Sequence, residues 1–383
     1  MVKKGEEKMK KGKIRVLAIC FFALIMLLAG CSNNSDKEAV KKEDSQKNIG
    51  ESMGEIPERF KGGEDVKIKV IRKIGGDDHT KQFLAGAKEE GEAMGLKVDV
   101  YSADGDSQKF HNEINKALQE GYDGFIISHG DDPETIDSVK KLVEKGKSVV
   151  TFDSNVELEK IEGVTLTSQN DEVLATFAME QLIEDFDGQA KIAYLWVDGF
   201  PPMVRRNAIY TEKLKNNPGI KEIERFGVAS ADTSGETKAA VAEMLKKHPK
   251  GELDAIFATW DAFAIGAVDA IREAGRDEVK IYGIDVSNTD LKLMKENGSP
   301  WEYTAAVDPK LIGALNMRLV AKKIAGEETP KNYNLEAYLI AQDELQASKK
   351  DVTMDNLGVV LPGWGLSTEL EEDWMKALKM TNK

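Results

Sequence analysis

Cysteine is almost missing from this chain: 383 residues hold two, Cys20 and Cys31. With Cys20 inside an N-terminal apolar run, no disulfide framework can staple the fold, and stability must come from an ordinary core. Histidine is scarce too, at four residues, and His79, beside Asp77 and Asp78, has no second His or Cys at ligand spacing, so no metal site is expected. No G-x-S-x-G elbow or P-loop occurs, and no G-x-G-x-x-G follows the first predicted strand. Neither catalysis nor a cofactor is expected. Long apolar runs are absent as well: Val16 to Leu28, about 13 residues, is too short to span a membrane. Positive charge is in deficit, with a net charge of −14, which argues against nucleic acid as a partner.

What is present begins with that N-terminus. Lys3, Lys4, Lys8, Lys10, Lys11, Lys13 and Arg15 precede the apolar run, which ends in Leu28–Ala29–Gly30–Cys31. A basic region, an apolar region and small residues in this order read as a signal peptide over residues 1–30. Its end resembles the lipobox of bacterial lipoproteins, in which the cysteine is acylated and becomes the mature N-terminus. Cys31 is therefore the expected lipid anchor. Loss of residues 1–30, with seven positive and two negative side chains, takes the net charge to −19. The polar stretch 31–65 reads as a flexible tether, and the Lys-rich leader with a long tether suggests a Gram-positive surface.

From Val66 the texture changes to strand and helix in alternation. Val66–Ile74, Leu96–Tyr101, Tyr122–Ser128, Ser148–Phe152 and Val164–Thr167 read as strands, with helices over Thr80–Met94, Ser107–Gln119 and Pro133–Glu144. The alternation restarts at Ala190–Val197 and runs to Thr289–Glu296, followed by an amphipathic helix over Leu311–Ala325. Two α/β halves with doubly wound parallel sheets are predicted. The tail from about Thr329 carries only two short apolar runs, Ala337–Ile340 and Gly358–Leu361.

Polar residues recur just past the strand ends, where open α/β sheets bind ligands. The run Ser148–Phe152, apolar and too short for a helix, stops in Asp153–Ser154–Asn155. After the first strand come Lys73 and then Asp77, Asp78 and His79. Arg205–Arg206 follow Val197, and two later strands end in Thr259–Trp260–Asp261 and in Asp285. Carboxylates and guanidinium forks grip paired hydroxyls, and an aromatic ring covers an apolar C–H face. Asp153, Arg206, Asp285, Lys73 and Trp260 would supply that set for a sugar or polyol. Asp78, Asp261 and Asp285 also stand just before helices, where an N-cap is the plainer reading. His111 and His248 are expected on solvated helix surfaces.

Several stretches resemble the periplasmic sugar-binding proteins of the ribose-binding type, the substrate-capturing components of ABC importers. They are Ala85–Gly86–Ala87, Gly121 to Ile127, Val149 to Asp153, Leu253 to Ala258, Ala264 to Ala267 and Ile281 to Asp285. The resemblance implies two lobes joined by a multi-strand hinge near Asn170, Val307 and Leu335. It places 66–170 plus 308–335 in the first lobe and 171–307 plus 336–383 in the second. It puts Asp153, Arg206 and Asp285 on the sugar, and implies a monomer delivering its ligand to a permease and its ATPase. In the first loop, where ribose binders carry an asparagine and two phenylalanines, this chain has Asp77, His79 and Thr80; later it has Trp260 and Val307. Lys73, Thr151 to Asn155 and Val359 to Pro362 are similar to the rhamnose and furanosyl-autoinducer binders, so that autoinducer is an alternative ligand. Sensory sugar input to a membrane receptor is a second alternative. Glycan hydrolysis by Asp77, Asp78 or Asp153 is a third.

Overall fold

The computed structural model describes residues 54–62, 65–76, 78–230 and 232–382. Cys31, the apolar leader, Asp77 and most of the tether lie outside the described residues. The described residues form two six-stranded sheets, each covered by helices.

The first sheet takes β1 (Lys67–Arg72), β2 (Lys97–Ser102), β3 (Gly124–Ser128), β4 (Ser148–Phe152), β5 (Val164–Ser168) and β11 (Asn332–Asn334), in the order β11-β5-β4-β3-β1-β2. Every pairing in it is parallel. The central strands are continuous apolar runs because helices bury both faces: all five residues of β3 are buried. At the edge, β2 reverts to alternation, with Lys97 and Asp99 exposed on either side of buried Val98. Helices α1 (Asp78–Ala93), α2 (Ser107–Ala117) and α3 (Pro133–Glu144) are the crossovers.

The second sheet takes β6 (Ala190–Leu195), β7 (Ile220–Phe226), β8 (Ala255–Ala258), β9 (Lys280–Ile284), β10 (Trp301–Ala306) and β12 (Tyr338–Ala341), in the order β12-β10-β9-β8-β6-β7. Only β12 runs antiparallel, against β10. Helices α4 (Asp171–Asp185), α5 (Pro201–Asn216), α6 (Thr233–Lys247), α7 (Asp261–Ala274) and α8 (Asn288–Lys295) belong to it.

The chain passes between the sheets three times: from β5 to α4 at 168–171, from β10 to α9 (Pro309–Ile324) at 306–309, and from β11 to β12 at 334–338. These are the segments around Asn170, Val307 and Leu335. Helix α9 returns to the first lobe and crosses α1 at backbone contact. A Cβ on Gly86 would sit 1.9 Å from the Lys310 carbonyl oxygen, and one on Gly313 would sit 2.1 Å from that of Phe83. Only glycine admits this approach.

The tail, expected to lie with the second lobe throughout, is shared. Helix α10 (Gln342–Ala347) and buried Val352, Met354, Leu357 and Trp364 extend the second core. Beyond them Arg318 of α9 donates to the carbonyls of Ser367 and Glu369, and α11 (Asp373–Thr381) packs on the first lobe through buried Trp374, Met375 and Leu378. The tether also ends sooner than its composition implies. Phe60 stacks on Trp374 at 5.0 Å, and Arg59 pairs with Asp123 at 2.8 Å. A single aromatic residue in a charged stretch suffices to dock it.

Candidate ligand-binding site

The strands of both lobes direct their carboxyl ends toward one another, and three residues at those ends share an uncommon backbone. His129 after β3, Asp153 after β4 and Asp285 after β9 have φ of 63°, 44° and 79°. Left-handed backbone at a non-glycine residue is tolerated best by Asn, Asp and His, and it concentrates at functional sites.

Arg206, on the second turn of α5, is the centre of the second lobe's contribution, with 1% of its surface exposed. Its Nε donates to Asp171 Oδ1 at 2.8 Å, Nη1 to the Thr259 carbonyl at 2.6 Å and to Asp285 Oδ2 at 3.1 Å, and Nη2 to Asp285 Oδ1 at 3.0 Å. The two-pronged grip on Asp285 fixes both planes. Asp171 opens α4, where the helix dipole favours a carboxylate. The neighbouring Arg205 donates to Asp171 at 2.9 and 2.5 Å and reaches across to Asp153 Oδ1 of the first lobe at 3.1 Å.

On the first lobe, Asp153 is buried and accepts its other hydrogen bond from Gln169 Nε2 at 3.2 Å. Burial, followed by repulsion from Asp171, pushes its carboxyl upward, against the pull of Arg205. Arg72, the last residue of β1, lies over the Phe83 ring and donates to Thr80 Oγ1 at 3.0 Å and Ser128 Oγ at 3.2 Å. Its Nη2 also meets His79 Nδ1 at 3.1 Å. Desolvation and then the Arg72 charge push His79 down to about 3, and His129 is lowered for the same reasons. Both rings are therefore neutral at physiological pH. A cavity of about 190 Å³ opens beside the hinge strands, bordered by Asp153, Arg205, Thr167, Ser168, Asn332 and Asn334.

The match of residues 68–328 to the periplasmic binding protein domain decides the family. This chain is a member of it. Its fold is similar to a sugar ABC transporter structure from Yersinia enterocolitica, with 46% identity and a TM-score of 0.81 over 87% of this chain and 100% of that one. A 5-methylthioribose transporter solute-binding protein from Thermotoga lettingae, solved with 5-methylthioribose, is 31% identical with a TM-score of 0.77, over 82% of this chain and 99% of that one. Among curated sequences, the ribose import binding protein of Bacillus subtilis is 27% identical over 250 residues, 64% of this chain and 77% of that protein.

Within this periplasmic binding protein, the residues singled out from sequence divide. His79, Asp153, Arg206 and Asp285 converge between the lobes. Asp78 contacts the second lobe instead, accepting from Asn288 of α8. Lys73 is committed within the first lobe to Asp131 and, at 3.2 Å, to Asp132. Ser154 is a brace: it accepts from Gly130 N at 3.1 Å and donates to the Phe152 carbonyl at 3.1 Å. Trp260 sits half-buried, edge-on to Phe263 at the margin of the second core. Asp261 accepts locally from Ala262 N. None of the three suspected aspartates is the N-cap of the helix it precedes: Asp78 and Asp261 are first helical residues, and Ser287 rather than Asp285 caps α8.

His111 and His248 are not solvated either. His111 is buried against Asp132 at 3.1 Å, and His248 meets Glu224 at 2.6 Å. Sequence reasoning missed Arg72, Gln169, Asp171 and the bridging role of Arg205. The run Gln169–Asn170–Asp171 carried the same signal as the others, a polar cluster directly after a buried strand.

Proposed function

We propose that this protein captures a small sugar or polyol between its lobes on the outer side of the membrane and hands it to an ABC importer. The observation that carries this reading is the polar assembly at the lobe boundary: Asp153 from one lobe against Arg205, Arg206, Asp171 and Asp285 from the other. Paired carboxylates and guanidinium forks at strand ends suit neighbouring hydroxyls. The ribose import binding protein of Bacillus subtilis and the 5-methylthioribose-bound relative support a pentose-like molecule. Binding without turnover is the activity, the protein acts as a monomer, and ligand biases a hinge motion that the permease reads.

Acylation of Cys31 would hold the protein at the cell surface, through a tether ending where Phe60 docks. Mass spectrometry of the mature N-terminus tests this: a diacylated Cys31 is expected, and Cys31→Ala should release the protein into the medium. The binding reading is tested by thermal shift against pentoses, hexoses, deoxysugars, polyols, 5-methylthioribose and the furanosyl autoinducer. A ligand that binds only the folded state must raise its melting temperature.

A further inference from the structure

The three crossings between the sheets are not the last passage between the lobes. The tail crosses a fourth time. Up to Trp364 it belongs to the second lobe: Val360 and Leu361 pack on that core, and the buried Trp364 ring meets Tyr338 edge-on at 5.6 Å. Three residues later it belongs to the first. Arg318 Nη1 of α9 donates to the Ser367 carbonyl at 2.9 Å and to that of Glu369 at 2.8 Å, and Leu370 packs on the first core. Lys379 of α11 then pairs with Glu90 of α1 at 2.6 Å and with Glu371 at 2.5 Å. The passage itself is Gly365–Leu366.

This passage runs along the hinge. A Cβ on Gly363 would lie 3.6 Å from the Tyr338 hydroxyl, and one on Gly365 would lie 3.0 Å from Asp308 Oδ2. Tyr338 and Asp308 belong to two of the other crossings. Gly365 takes a left-handed turn, with φ of 71°, and Leu366 is 79% exposed, so the fourth crossing lies at the surface. It has little slack. A chain gains at most about 3.6 Å per residue, so Trp364 and Ser367 can part by no more than roughly 11 Å. Three crossings alone bend through a few dihedral angles; a fourth, fixed to both cores within three residues, restrains that motion. The same tail also supports the contact across the cleft, where Met354 N donates to Asn288 Oδ1 at 2.9 Å and Asn288 donates to Asp78.

We propose that the tail is a strap across the hinge, which limits how far the lobes part and holds the ligand-free chain near its closed arrangement. A chain without the strap spends part of its binding free energy on closure, and its apparent affinity falls with its closed fraction. The effect on affinity rests on the sugar-binding reading above; the limit on opening does not.

The test is a distance measured without ligand. Lys81 of α1 and Lys292 of α8, both exposed and on opposite lobes, carry spin labels as Lys81→Cys and Lys292→Cys in the full-length chain in detergent, with Cys20→Ser and Cys31→Ser. Eight Gly/Ser residues inserted between Gly365 and Leu366 add about 26 Å of extended chain and leave both anchors in place. The parent chain is expected to show one short distance, and the insertion a second, longer population. The same insertion after Gly251, an exposed turn of the second lobe, is expected to match the parent. Calorimetry with a sugar that binds should show the strap insertion weakened by the factor by which its closed population falls, about 2- to 10-fold.

A strap insertion whose distances match the parent overturns the proposal and leaves the binding function standing. So does a longer population in the Gly251 insertion, or a parent chain already spread over long distances. If the strap insertion shows no melting transition, Trp374→Ala, which loosens the far anchor at unchanged length, takes its place under the same criteria. A chain that binds no sugar overturns the function and the effect on affinity, while the distances still decide the strap.

Discussion

Asp78, the first residue of α1, accepts two hydrogen bonds from Asn288, the first residue of α8: one from the backbone N–H at 3.0 Å and one from Nδ2 at 2.8 Å. Asn288 in turn accepts from Met354 N at 2.9 Å. Helices from opposite lobes and the tail are thus linked through one amide side chain. Together with Arg205–Asp153, this contact holds the lobes against one another.

Asp78→Ala is predicted to shift the lobes toward an open arrangement. Its bonds are at the surface, so the loss should be about 1 kcal/mol, or roughly 5-fold in the closed-to-open ratio. Spin labels on exposed positions of the two lobes read the distance directly. Unchanged distance distributions in the variant would contradict this role.

Arg206→Ala leaves Asp171 and Asp285 facing each other with no cation between them and only Arg205 nearby. Removing one partner of a buried ion pair costs about 3–5 kcal/mol, so a fall in denaturant midpoint is predicted along with loss of ligand response. Arg206→Lys restores charge but not the fork and should recover only part of the stability. Equal stability of wild type and Arg206→Ala would show that the assembly contributes nothing to the fold.

Histidine burial predicts the acid limb of stability. His79 titrates near 6.5 when unfolded and is pushed down to about 3 when folded. Between those values the unfolded chain binds more protons, so this contribution is present above pH 6.5 and is lost as pH falls toward 3. The slope is at most about 1.4 kcal/mol per pH unit for one such group. His129 acts in the same sense, whereas Asp153, whose carboxyl is raised, acts in the opposite one. His79→Asn should therefore flatten the loss of stability between pH 6.5 and 4. A variant with the wild-type pH profile would exclude His79 as its source.

At the α1–α9 crossing, Gly313→Ala is predicted to force the helices apart, because the new Cβ would lie 2.1 Å from a backbone carbonyl oxygen. Overpacking of this kind costs about 1–3 kcal/mol. Gly121→Ala, in a turn with open space around the site and φ of 77°, is a control for left-handed backbone alone. A Gly313→Ala protein as stable as wild type would mean that the helices can separate without loss.

The lobes were legible from sequence because buried parallel strands such as Gly124–Ser128 and Ser148–Phe152 are continuous apolar runs with polar stops. The same signal points to Asp153, Arg206 and Asp285, which the structure ties together through Arg205 and Asp171. At Lys73 and Ser154, which the structure engages within the first lobe, the signal is ambiguous, since position at a strand end does not say whether a side chain faces the cleft or braces a loop. Lys73 is taken by Asp131 and Asp132, residues some sixty positions downstream that only the β1–β3 pairing brings near. Arg72 escapes that signal because a single cation in an alternating strand reads as a solvent-facing residue, yet it is 1% exposed. The tail's return to the first lobe was not legible, because Trp374, Met375 and Leu378 form too short a periodic stretch to announce their partner.

The most direct test of the account is the thermal-shift screen repeated with Asp153→Ala and Arg206→Ala. The account predicts a rise in melting temperature with one class of neutral sugar or polyol for the wild type, absent in both variants. A wild-type protein indifferent to every sugar and polyol, or variants that respond as the wild type does, would contradict it.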